Sequence, residues 1–154
     1  MKKVSFILFI LFFFLYINNI SAEDHSKIEI TNLWISEAPK NASVLVAYAK
    51  FKNNSTLPIS LNNISSLLFS SIEIHKTIIK DDIASMERFS TLEIPPKSSV
   101  EFLPGDYHLM LFNPKKPMTI GSAPELLFTF SDGSKIYLEA KIKKRDINNK
   151  SHHH

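Results

Sequence analysis

From Lys27 to Ile142 no apolar repeat of helical period persists beyond about one or two turns; short alternating runs are instead cut by turn residues. Ile28-Glu29-Ile30 and Leu33-Trp34-Ile35 come first, and Ala38-Pro39-Lys40-Asn41 breaks the pattern. Val44 to Phe51 has the apolar and aromatic richness of a strand and runs into Lys52-Asn53-Asn54-Ser55, which reads as a polar turn. Ile59 to Leu61 and Leu67 to Ile79 give further runs, the second strongly β-branched. Pro95 to Ser98 and Pro104 to Asp106 bracket a short strand at Val100 to Leu103, and another at Tyr107 to Phe112 is stopped by Asn113-Pro114. Leu126 to Phe130 and Lys135 to Ile142 flank Ser131-Asp132-Gly133-Ser134, as in a hairpin with an Asp-Gly turn. Asp81 to Phe89 is the one stretch where a helix is admissible, and a strand is preferred there. Evenly spaced strands with Pro and Gly turns predict one all-β domain, an antiparallel β-sandwich or barrel, with no internal repeat or linker.

The two ends stand apart from this pattern. Lys2 and Lys3 precede an almost unbroken apolar run from Val4 to Ile17, and Ile20-Ser21-Ala22 offers a small-residue cleavage site. That is the layout of a secretory signal peptide. A bilayer span needs about 20 apolar residues, so cleavage is expected rather than a membrane anchor. The expected organisation is a signal at 1–22, a β-sandwich domain at 23–145 and a polar tail at 146–154, with the product exported to the periplasm. Removal of residues 1–22 takes two Lys and no acid, so 18 basic against 15 acidic residues become 16 against 15. The basic balance thus belongs largely to the signal and does not argue for nucleic acid.

No cysteine is present. Disulfides therefore play no part in a compartment that permits them, and a thiolate-ligated electron-transfer copper site is excluded. Chemistry-bearing residues are concentrated elsewhere. Only six His and four Met occur; three His end the chain, and Met1 initiates it. Of the rest, His75, Met86, His108 and Met110 all fall between Ser71 and Pro114. Strand alternation puts His108 and Met110 on one face with Leu109 and Leu111 on the other, and puts Glu73 with His75 opposite Ile72 and Ile74. Met86 lies among charged neighbours, which suits a donor near the surface better than a core residue. Two imidazoles with two thioethers form a soft, neutral donor set that favours Cu(I) over Zn(II) or Cu(II). A single His in a strand, or a single Met, is more often structural, so spacing alone leaves the choice open.

The intervals H-x10-M-x21-H-x-M, and the surrounding Ile94-Pro95-Pro96, Leu103 to Leu111 and Lys116-Pro117, resemble the PCuAC-type periplasmic copper chaperones. The likeness extends over roughly Lys27 to Ile142. It departs at Pro96-Lys97-Ser98-Ser99, which lacks the family's usual glycines, and at Asp106, where a second Gly is common. The resemblance implies a cupredoxin-like β-sandwich that carries Cu(I) on His75, Met86, His108 and Met110. It further implies delivery to the cytochrome c oxidase copper centre, with copper-accepting partners such as an oxidase subunit or Sco-type proteins, and neither nucleic acid nor a small-molecule substrate.

Two accessory features follow from the ends. Cleavage after Ala22 exposes Glu23-Asp24-His25, where a free amine, two amides and an imidazole can enclose Cu(II) in a square plane. His152, His153 and His154 form either a metal-collecting tail or the remnant of an expression tag. Outside the tail only His25, His75 and His108 are available, so no Ser/His/Asp set is visible and no enzyme is expected. The competing expectation is an exported β-sandwich interaction or assembly module whose His/Met cluster is structural.

Overall fold

The computed structural model describes residues 27–144. Eleven strands form two sheets: β1 (Ile28–Ser36), β2 (Val44–Asn53), β3 (Ile59–Ser65), β4 (Ser71–Lys80), β5 (Ile83–Phe89), β6 (Leu92–Ile94), β7 (Ser99–Glu101), β8 (Tyr107–Phe112), β9 (Glu125–Phe130), β10 (Lys135–Glu139) and β11 (Lys141–Lys143). The first sheet runs β11-β1-β2-β8-β4-β5, with β7 also pairing β2; the second runs β10-β9-β3-β6. No helix occurs among the described residues. The expected all-β sandwich is the observed fold.

The core lies between the inner faces, which follow the alternation read from the sequence. Leu45, Ala47, Ala49 and Phe51 of β2 face Leu61, Phe128 and Phe130 of the second sheet within one buried cluster. Phe51 anchors it, with ring centroids 4.9 Å from Phe102 and 5.7 Å from Phe128, separations typical of tilted and edge-on aromatic pairs. Met118 is buried in the same cluster.

Several boundaries differ from expectation for identifiable reasons. The first two runs are one strand, β1, kinked by a register shift between Thr31 and Trp34, where Asn32 takes φ 54°. β2 continues through Asn53, which is fully buried rather than in an exposed turn. Its amide donates to the carbonyls of Leu57 (2.8 Å) and Ile94 (2.9 Å) and accepts from Ser55 N–H (2.9 Å) and Oγ–H (2.7 Å). The run from Leu67 begins as a turn, and the strand starts at Ser71. The short strand expected at Val100 to Leu103 is Ser99–Glu101. Lys135 to Ile142 is broken at Ala140: β10 closes the hairpin with β9, while β11 crosses to the first sheet and pairs parallel with β1. Lys97, in the turn without glycine, adopts φ 54°, the conformation a glycine would take without strain.

Candidate metal centre

Three neighbouring strands of the first sheet carry the four residues singled out by spacing. His75 is on β4, Met86 on β5, and His108 and Met110 on β8. The β4–β8 register sets His75 directly opposite His108 and Glu73 directly opposite Met110. The β4–β5 register sets Thr77 opposite Met86 and His75 opposite Arg88. Directly paired residues share a face, and so do residues two apart on one strand. All four therefore lie on the face opposite Ile72, Ile74, Leu109 and Leu111, which are buried in the core. His75 is the hub: His108 is its direct partner, and Met86 and Met110 are its diagonal neighbours, within reach of long side chains.

The imidazoles are close and held differently. Their ring centroids are 6.1 Å apart at an interplanar angle of 32°. His108, 5% exposed, donates from Nδ1–H to the Asp106 carbonyl at 2.9 Å. A carbonyl only accepts, so in the neutral ring Nε2 keeps the free lone pair. The same carbonyl accepts the Thr77 N–H at 3.2 Å and so ties the loop before β8 to β4. Lys76 reinforces that tie, with Nζ 3.7 Å from the Asp106 carboxylate and 4.5 Å from the Tyr107 ring centroid. Asp106 thus meets the His108 ring through its main-chain carbonyl and β4 through both that carbonyl and its carboxylate.

His75 leans the other way. Its Nε2 lies 2.9 Å from Glu73 Oε2, and its Nδ1 is buried without a hydrogen-bond partner. Arg88 Nε stands 3.5 Å from the same carboxylate oxygen. Met86 is 63% exposed on the edge strand, as its charged neighbours led one to expect, and Met110 is half-buried. Among the described residues no three His, Cys, Asp or Glu cluster as a metal site. Sequence patterning had put Glu73 on the face of His75; its contact with the ring was not legible from spacing. Glu23, Asp24, His25 and the His152 to His154 tail lie outside the described residues, as do the signal and its cleavage site.

A family profile described as "Putative lipoprotein LpqE-like" matches residues 28–142, almost the entire described domain. The chain belongs to the LpqE-like family. A protein of Leifsonia xyli subsp. xyli (strain CTCB07) named "Putative lipoprotein Lxx21020" is 26% identical over 117 residues, which span 75% of this chain and 69% of that protein. Among solved structures, a copper-bound PCuAC domain from PmoF2 superposes with a TM-score of 0.66 at 23% identity, covering 77% of this chain and 94% of that one. The solution structure of Cu(I)-DR1885 from Deinococcus radiodurans gives a TM-score of 0.60 at 22% identity, covering 77% and 78%. This LpqE-like chain accordingly has the fold of PCuAC domains, as the motif resemblance implied.

Proposed function

We propose that this protein is an exported carrier of Cu(I), which it binds through His75, Met86, His108 and Met110 and passes to copper-accepting proteins. The observation that supports this most is the register: His75 opposite His108, with Met86 and Met110 as diagonal neighbours on the same face. A ring nitrogen about 2.0–2.1 Å from a metal puts the ring centroid roughly 3.2 Å from it, so rings 6.1 Å apart can share one ion. Neutral imidazoles and thioethers suit soft Cu(I), and without a thiolate they allow release by ligand exchange. The solved neighbours described as copper-bound and as Cu(I)-DR1885 support the same metal.

The finer reading assigns delivery to the cytochrome c oxidase copper centre, through an oxidase subunit or Sco-type proteins. Transport of the ion, not catalysis, is the activity: four donors leave no open position for a substrate. The apolar run at Val4 to Ile17 would direct export to the periplasm. Lxx21020 is named a putative lipoprotein, and the export proposed for this chain is supported by its N-terminal apolar run. The Glu23-Asp24-His25 start remains a proposed accessory site for Cu(II), conditional on cleavage after Ala22.

The test is an anaerobic Cu(I) competition titration of the protein with His152, His153 and His154 replaced by Ala, beside the same chain carrying His108→Ala. One tight equivalent, weakened by His108→Ala and released when acid protonates both imidazoles, is the expected result. A folded protein with no tight equivalent refutes the carrier reading.

A further inference from the structure

We propose that Glu73 is the positioning residue of the copper site: it holds His75 in the tautomer whose Nδ1 lone pair faces the ion. This inference rests on the carrier reading. Strand β4 places Glu73 and His75 two residues apart on one face, and β8 places Met110 directly opposite Glu73. Glu73 Oε2 lies 2.9 Å from His75 Nε2. An ionised carboxylate accepts and cannot donate, so the proton of the neutral ring sits on Nε2 and the lone pair on Nδ1. That Nδ1 is buried and has no partner among the described residues. Burying an acceptor unmet is costly, and an ion at this face would meet it.

The comparison within the site sharpens the assignment. His108 uses the opposite nitrogen as its donor, Nδ1–H to the Asp106 carbonyl, and so offers Nε2. The two imidazoles thus present different nitrogens, each fixed by an acceptor on the other side of the ring. Metal-bound histidines are held in this way by a carboxylate or a main-chain carbonyl. A simple surface pairing of Glu73 with Arg88 does not account for the arrangement. Arg88 is 66% exposed in its side chain and stands 3.5 Å away, and such exposed pairs contribute little. Arg88, directly opposite His75 on β5, approaches the same carboxylate oxygen that the ring contacts.

The test has two arms on the full-length protein. In the metal-free protein, imidazole 15N shifts report which nitrogen of His75 is protonated. Wild type should show Nε2–H for His75 and Nδ1–H for His108. Glu73→Ala should convert His75 to a tautomer mixture and leave His108 unchanged, whereas Glu73→Gln, whose amide oxygen still accepts, should restore the wild-type pattern. In the second arm, Glu73→Ala should weaken Cu(I) binding about tenfold to a hundredfold, with Glu73→Gln recovering most of it. In a His75→Ala background Glu73→Ala should add little. An unchanged His75 tautomer in folded Glu73→Ala overturns the proposal, and so does a full affinity loss that persists without His75. Absence of Cu(I) binding by wild type would refute the carrier reading, while the tautomer arm still decides the coupling of Glu73 to His75.

Discussion

Replacing Met86 with Leu separates binding from packing more cleanly than any other change at this face. Met86 is 63% exposed on the edge strand β5, and every residue of that strand except Phe89 is exposed. Leu conserves apolar character and most of the volume, so it leaves no void. Surface substitutions of this kind stay within about 0.5 kcal/mol, which for a domain of this size moves Tm by roughly 1–3 °C. Loss of one of four donors, by contrast, should weaken Cu(I) binding at least about tenfold, or ~1.4 kcal/mol. The assay is anaerobic competition against a chromophoric Cu(I) chelator, with thermal unfolding recorded on the same samples. Unchanged affinity at unchanged Tm would show that the sulfur of Met86 is not a donor, and would remove the one ligand that β5 contributes.

Asn53→Ala should be severe for a different reason. It leaves the buried Ile94 carbonyl without the 2.9 Å amide bond, at a cost of about 2–3 kcal/mol; a loss below about 1 kcal/mol in chemical denaturation would mean that the carbonyl finds another donor. Asp132 carries a pH signature. Hydrogen bonds from Ser134, and more weakly the charge of Lys27, hold its carboxyl below its ordinary value of about 3.8. The folded state therefore favours the charged form, so the stabilisation is complete above that ordinary value and fades as pH falls through the lowered one. Asp132→Ala should accordingly cost about 0.5–1.5 kcal/mol near neutrality and converge with wild type in strong acid. A gap that persists in strong acid would show that the carboxylate charge is not its source.

What could be read from the chain followed locality. Tyr107 to Phe112 was legible to the residue, because alternation is clean and Asp106 and Asn113-Pro114 fix its ends. Asp81 to Phe89 admitted a helix beside the preferred strand, since a strand exposed on both faces shows no alternation, and the strand is what forms, at Ile83–Phe89. Its conformation comes from pairing with β4 across Asp81-Asp82, both at positive φ (51° and 61°). This is the geometry usually announced by Asn-Gly. Asn53 was misplaced because a buried, fully bonded amide and a turn amide look identical in sequence. The break at Ala140 is tertiary: β10 and β11 serve different sheets. At the candidate site, alternation revealed that His108 and Met110 share a face. The pairing of His75 with His108, and the Glu73 contact, depend on register between strands more than 30 residues apart, which no local pattern encodes.

That register is enforced from the opposite face of the sheet. Ile72 faces Leu111 and Ile74 faces Leu109 across the same β4–β8 pair, and all four are buried. Because side chains alternate with a period of two, a slip of one residue would turn His75 into the core and bring Ile74 out to the ligand face. Exposing two isoleucines alone forfeits about 1.5–3 kcal/mol each, before the cost of burying an imidazole among apolar neighbours. The geometry that sets His75 opposite His108 is thus held by residues that never touch a ligand. Substitutions on the exposed face can alter binding without moving the register, whereas a cavity at Leu109 or Ile74 should weaken both. The strands that carry His75, His108 and Met110 are central and locked in this way, and Met86 alone sits on an edge strand with no core residue beneath it. An assay of the site is therefore also an assay of β4–β8 register, which is why affinity and unfolding must be measured on the same samples.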